Sequence, residues 1–99
     1  MNITKNLDGT ILEILLEGRL DTTTAPKLEA ELRDSMNGMT ELIFDFDKLD
    51  YISSAGLRVL LSAQKVMNRQ GTMKIRHVKP EIMEIFEVTG FVDFLTIEE

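Results

Sequence analysis

The sequence predicts an α/β fold: a single domain with a mixed, mostly parallel sheet, an N-terminal hairpin and helices packed on the sheet. Asp8-Gly9 lies between residues 2–7 and residues 10–18, which is a strong short-range hairpin signal. Downstream, helix and strand patterns alternate, and this order implies parallel strands joined by right-handed helical crossovers. The 99 residues suit one hydrophobic core, so we predict one domain over residues 1–99.

The first half contains the hairpin and one helix. The hairpin strands are expected at residues 2–7 and 10–18, and the second is so continuously apolar that it predicts a strand covered on both faces. The threonines before Pro26 are candidate N-caps for a helix that ends near Gly38. Its apolar positions recur at helical spacing and are Ala25, Leu28, Leu32, Met36 and Met39.

The second half repeats the alternation. Residues 41–46 predict a buried strand, and an apolar helix should follow from about Ser54 to residues 68–71. Residues 73–78 predict the next strand. Pro80 can then open a third helix that ends near Gly90, and a last short strand is expected over residues 94–97.

Charge and composition exclude several classes of function. The formal net charge of −6 argues against nucleic acid as a partner, because phosphate backbones recruit Lys and Arg. No apolar run is long enough to cross a bilayer, and the N-terminus is too polar for a signal peptide. The chain has no cysteine, which excludes disulfides, zinc fingers and thiol nucleophiles. We therefore expect a cytoplasmic domain that binds another protein or a small molecule, with no membrane and no nucleic acid as partner.

The junction from Asp45 to Leu61 is the candidate site, because functional groups of open α/β sheets gather where strands end and helices begin. Ser53 and Ser54 precede the predicted helix, where serine is a favoured N-cap. Phosphorylation is compatible with the same position, because free N–H groups and the helix dipole tolerate a phosphate there. The local pattern leaves both roles open.

Four segments resemble the STAS domain, and more narrowly the bacterial anti-sigma factor antagonists. They are Gly18-Arg-Leu-Asp-Thr-Thr-Thr-Ala-Pro26, Leu42-Ile-Phe-Asp-Phe, Tyr51-Ile-Ser-Ser-Ala-Gly-Leu-Arg-Val-Leu61 and Val88-Thr-Gly-Phe91. The resemblance implies a binding protein, not an enzyme, that binds an anti-sigma factor serine kinase and thereby releases the sigma factor. It implies that the kinase phosphorylates Ser54 to end the complex, and that a serine phosphatase restores the active form. No cofactor is expected on this chain, since the kinase partner carries the ATP.

Two positions depart from the family pattern. Ser53 replaces the usual aspartate before the target serine, so its hydroxyl is a competing acceptor, and Arg58 replaces a glycine after the leucine. Arg58 could contact a partner carboxylate or a phosphate on the serine, or simply be solvated. The residues that the resemblance places at the partner interface are Asp21, Thr22, Ser53, Ser54, Gly56, Leu57 and Arg58.

Other interpretations remain open at this stage. STAS-like domains also serve as subunits of larger assemblies such as lipid-transport complexes, without a phosphoswitch. A receiver-like domain would instead accept phosphate on Asp45 at a strand end. Asp45, Asp47 and Asp50 are possible magnesium ligands, although a polar loop after a strand is commonly acidic. His77 is the only histidine, and we expect it exposed near a strand end; the glutamates 81, 84 and 87 predict the solvated face of the third helix.

Overall fold

The computed structural model describes residues 1–98; Glu99, the last residue of the predicted domain, lies outside the described residues. Four strands form one sheet in the order β1-β2-β3-β4. Their bounds are β1 Asn2–Asp8, β2 Ile11–Leu20, β3 Glu41–Ile52 and β4 Thr72–Arg76. β1 is antiparallel to β2, whereas β2–β3 and β3–β4 are parallel. The predicted mixed sheet with an N-terminal hairpin is confirmed.

Three helices alternate with the parallel strands: α1 Ala25–Ser35, α2 Ser54–Gln70 and α3 Pro80–Thr89. A short 3₁₀ turn, Phe91–Asp93, follows α3 after Gly90, which adopts a left-handed conformation with φ 78°. One core joins the buried faces of all three helices to the sheet, and Phe44, Phe46 and Phe86 are its largest fully buried side chains. Within residues 1–98, no helix combines the length and the apolar character needed to cross a bilayer.

The helices cover only one face of the sheet, so the prediction that β2 is covered on both faces is wrong. Leu12, Ile14 and Leu16 are buried, whereas Leu15 is half-buried and Ile11 is exposed. The uncovered face instead carries ion pairs that join strands to one another and to Glu98. They are Lys74–Glu41, Lys74–Glu98, Arg76–Glu13 and Arg76–Glu98.

Two strand predictions need correction. β3 does not end at residue 46 but continues to Ile52, because it stays paired with β2 across two register shifts, between Leu15 and Glu17 and between Gly18 and Arg19. The strand predicted over residues 94–97 is reduced to one isolated bridge between Ile97 and Ile75. The 3₁₀ turn Phe91–Asp93 directly precedes the predicted strand, so that little extended chain remains to pair with β4.

Candidate functional site

The N-terminus of α2 is held against the ends of two strands. The Ser53 N–H donates to the Leu20 carbonyl at the end of β2, at 2.9 Å. Gly56 lies in the first turn of α2, where an added Cβ would come within 2.7 Å of Leu20 Cγ and 2.8 Å of Ile52 Cγ1. The missing side chain therefore lets the helix rest directly on the strand ends, and this fixes the position of Ser54.

The two adjacent serines have different environments. Ser53 is the N-cap of α2 with extended backbone, but its side chain makes no capping hydrogen bond. Its Oγ is buried and lacks a hydrogen-bond partner within the described part of the chain. Ser54 is the first helical residue and is exposed. The structure thus gives neither serine a capping hydrogen bond, and it makes only the Ser54 side chain accessible.

The loop after β2 is ordered around Asp21. Its Oδ1 accepts hydrogen bonds from the Thr23 hydroxyl at 2.8 Å and from the Thr23 and Thr24 N–H groups at 3.0 and 3.2 Å. The Thr24 hydroxyl accepts the Asp21 N–H at 2.8 Å and donates to the Arg19 carbonyl at 2.7 Å. The Thr23 hydroxyl and the backbone N–H groups stabilise the carboxylate and hold the pKa of Asp21 below its ordinary value of 3.8, although partial desolvation opposes them.

Arg19 and Tyr51 form a second contact beside this loop, which the sequence prediction did not assign. The Arg19 guanidinium carbon lies 4.2 Å from the centre of the Tyr51 ring, and Arg19 Nε lies 3.7 Å from Asp21 Oδ2. The two residues are register partners between β2 and β3. Only the register after both bulges brings them together, so periodicity in the sequence gave no signal for this pair.

A cleft of about 340 Å³ lies between the first turns of α1 and α2. Its lining residues are Thr22, Ala25, Pro26, Glu29, Ala55, Arg58, Val59 and Ser62. Thr22 and Arg58 are exposed, and Arg58 follows Ser54 by one helical turn. The structure therefore brings Thr22 and Arg58, both predicted to bind the partner, to one cleft beside the candidate serine.

Not every predicted interface residue is available at this surface. Gly56 and Leu57 are buried, and Asp21 is half-buried with its carboxylate engaged in the loop. Partner binding by Gly56 and Leu57 stays a prediction, and in the isolated domain their role is to pack α2 onto the sheet. Within the predicted set, Thr22, Ser54 and Arg58 are the exposed members.

The three aspartates lie within β3 and do not form a loop after it. Asp45 Oδ1 accepts the Asp47 N–H at 2.9 Å and lies 3.1 Å from His77 Nδ1, while Asp50 Oδ1 accepts a hydrogen bond from Lys79 Nζ at 2.9 Å. In residues 1–98, no group of three or more His, Cys, Asp or Glu side chains is arranged to hold a metal ion. Asp45 lies in the middle of β3, so the prediction that it lies at a strand end, which the receiver interpretation requires, is wrong. His77 is exposed directly after β4, as expected.

Curated proteins similar to this chain include an anti-sigma factor antagonist and a candidate one. The chain is 38% identical over 93 residues to BtrV of Bordetella bronchiseptica, a candidate anti-sigma factor antagonist, covering 92% of this chain and 79% of that protein. It is 27% identical over 101 residues to the anti-sigma-B factor antagonist of Staphylococcus aureus, covering 100% of this chain and 94% of that protein.

Solved structures of an anti-sigma factor antagonist, SpoIIAA, share the fold. The unphosphorylated form has a TM-score of 0.78 at 16% identity, covering 99% of this chain and 88% of that chain. The phosphorylated form from Bacillus has a TM-score of 0.77 at 17% identity, covering 99% and 92%. A STAS domain family model matches residues 2–99. With a match over nearly its whole length, the chain belongs to the STAS domain family.

Proposed function

We propose that this domain is an anti-sigma factor antagonist controlled by phosphorylation of Ser54. The unphosphorylated form binds an anti-sigma factor serine kinase and releases the sigma factor; phosphorylation of Ser54 ends the complex, and a serine phosphatase restores it. The 38% identity to BtrV and the 27% identity to the Staphylococcus antagonist support this function. The observation that carries the site assignment is the exposed Ser54 side chain at the start of α2.

The environment of Ser54 suits a phosphate without unfolding of the domain. A phosphoserine adds a charge of about −1.5 to −2 at neutral pH. At the first residue of α2, this charge lies at the positive end of the helix dipole. Arg58, one turn along and exposed, could pair with it. The antagonist itself therefore keeps its fold in both states.

The partner meets a different surface after phosphorylation. A protein that docks closely on Ser54, Thr22 and Arg58 would have to desolvate the phosphate or place its own groups against it. Like-charge contacts and unpaired buried charges cost on the order of several kcal/mol, enough to dissociate a typical complex. The switch therefore acts through charge on an intact docking surface. In this mechanism the chain binds but performs no catalysis, ATP stays on the kinase, and the complex is cytoplasmic.

The burial of Ser53 Oγ favours Ser54 over its neighbour as acceptor. Transfer from ATP requires that the hydroxyl reach the γ-phosphate in line with the leaving group. A hydroxyl enclosed between α2 and the strand ends cannot do so while the helix stays in place. We therefore expect one phosphate per chain, carried by Ser54.

The test uses the anti-sigma factor that co-purifies with this protein from its own cell. Wild type, Ser53→Ala and Ser54→Ala are incubated with that kinase and ATP, and phosphate is located by intact mass and peptide mapping. We expect one phosphate on wild type and on Ser53→Ala, and none on Ser54→Ala. Phosphorylation of Ser54→Ala at the wild-type rate would refute the assignment.

A STAS subunit without a phosphoswitch gives a different result in a binding assay. For the proposed switch, Ser54→Asp weakens binding of the co-purified partner, measured by calorimetry, whereas Ser54→Ala retains it. A subunit of a larger assembly such as a lipid-transport complex would bind both variants equally. The proteins that co-purify also separate the two functions, because a kinase-type anti-sigma factor belongs only to the first.

A further inference from the structure

The end of the molecule around α3 exposes several apolar side chains. Val88 is 81% exposed in the last turns of α3, and beyond Gly90 Phe94 is 64% exposed. Val88 and Ile85 line a shallow depression of about 350 Å³ together with Glu81, Glu84 and Thr89. We call these five residues the α3 surface. A single exposed apolar side chain is ordinary, and it is the combination of Val88 and half-buried Ile85 with the surrounding charge that distinguishes this surface.

The charge around the α3 surface has one sign. Glu81, Glu84, Glu87 and Asp93 are exposed, and none of them forms an ion pair in residues 1–98. The sequence has no Lys, Arg or His from residue 80 to its end. Glutamates three residues apart repel each other along a helix, and Glu87 lies near the negative end of the helix dipole. Lys79, the cation that directly precedes α3, is paired with Asp50, so the four carboxylates remain suited to a positively charged partner.

The exposed apolar end of α3 is remote from the Ser54 site. Ser54 follows the carboxyl end of β3, and α3 follows the carboxyl end of the parallel strand β4. The 10 residues of α3 span about 15 Å. Along this length the chain runs back toward the amino end of β4, because Ile97 then forms a parallel bridge with Ile75. Val88 and the 3₁₀ turn therefore lie toward the opposite end of the sheet from Ser54.

We propose that the α3 surface docks a segment of a partner protein that presents apolar side chains flanked by Lys or Arg, such as a basic amphipathic helix. Val88 and Ile85 receive the apolar side chains, and Glu81 and Glu84 pair with the cations. A second copy of this chain would place the same carboxylates against each other. An anionic membrane would repel them in the same way. Because Ser54 is remote, phosphorylation there leaves this contact unchanged.

The test is a titration of the ¹⁵N-labelled domain, followed by NMR, with an 18-residue amphipathic helical peptide of Leu and Lys. We expect saturable shifts at residues 80–94, equal in wild type and Ser54→Asp. The double variant Glu81→Lys with Glu84→Lys should raise the dissociation constant at least tenfold, and Val88→Ser several-fold. Both alter exposed positions, so the fold is retained. Asp34→Lys, a single charge reversal on the exposed side of α1, should leave the dissociation constant unchanged, whereas Glu84→Lys alone should raise it.

Several results would overturn the docking proposal. A scrambled peptide of the same composition has the same charge but no apolar face, and equal binding of it would reduce the contact to bulk electrostatics. Shifts outside residues 80–94, or no saturation at millimolar peptide, would also reject the site. Stronger binding of phosphatidylglycerol vesicles than of the peptide would favour a membrane. Concentration-dependent dimerisation lost in Val88→Ser would favour a second copy.

Discussion

Ser53→Ala is expected to leave the domain as stable as wild type or to stabilise it. Loss of a working serine cap typically costs about 0.5–2 kcal/mol. Ser53, however, makes no capping hydrogen bond, and its buried Oγ has no partner within the described residues. An unsatisfied buried hydroxyl costs about 1–3 kcal/mol, and alanine removes it at the expense of a small cavity. We therefore expect the free energy of unfolding to rise by between zero and about 1 kcal/mol.

Urea and thermal unfolding of matched variants measure this change. For a domain of this size, 1 kcal/mol shifts Tm by about 4–8 °C, which is well resolved. Ser54→Ala is the neutral control, because an exposed substitution usually changes stability by less than about 0.5 kcal/mol. Thr24→Ala is the destabilising control, since the Thr24 hydroxyl makes hydrogen bonds of 2.7 and 2.8 Å. A loss of more than about 1 kcal/mol in Ser53→Ala would refute the reasoning and identify Ser53 as a functional cap.

Three further outcomes follow from the structure. Gly71→Ala should destabilise the domain by at least about 2 kcal/mol in urea unfolding, because its Cβ would overlap the Thr40 carbonyl; wild-type stability would contradict this packing. Ser54→Asp should keep wild-type stability or gain up to about 1 kcal/mol from the helix dipole, and a clear loss of Tm would count against a fold-neutral switch. The lowered pKa of Asp21 stabilises the fold above the unfolded value of 3.8, and this stabilisation is lost as pH falls through the folded value. The carboxyl ¹³C shift of Asp21, followed against pH, measures this pKa. In Asp21→Asn, the loss of stability at acid pH should be smaller than in wild type.

The start of α2 was predictable because an apolar helical stripe follows two serines and a glycine at a strand end. The length of β3 was not. Asp47 and Asp50 have loop character, and only the shifted pairing with β2 keeps them extended. The strand predicted over residues 94–97 was wrong for a related reason. Its apolar residues match a strand pattern, but Gly90, in a left-handed conformation, leads the chain into a 3₁₀ turn before them.

In the candidate site, too, local sequence patterns predicted some features and tertiary packing determined the others. Ser54 was placed at the helix start by its motif, and the structure agrees. Tertiary packing decides which serine is accessible: Gly56 lets the first turn of α2 rest on Leu20 and Ile52, and in this position Ser53 Oγ is buried whereas Ser54 is exposed. The proposed partner surface includes the α1–α2 cleft, which joins Thr22 to Arg58 although they are 36 positions apart in sequence. Such distant contacts have no periodic signature.

Gly56 has a consequence for how the proposed signal is stored. The first turn of α2 lies on the strand ends with no room for a single methyl group, so it cannot tilt or slide without disturbing the core. In the proposed switch the domain needs no second conformation to hold information, because its state is one covalent bond on Ser54. If the proposed switch operates, the duration of a signal is set by the kinase and the phosphatase that make and break that bond. The folding and unfolding rates of the domain do not affect this duration.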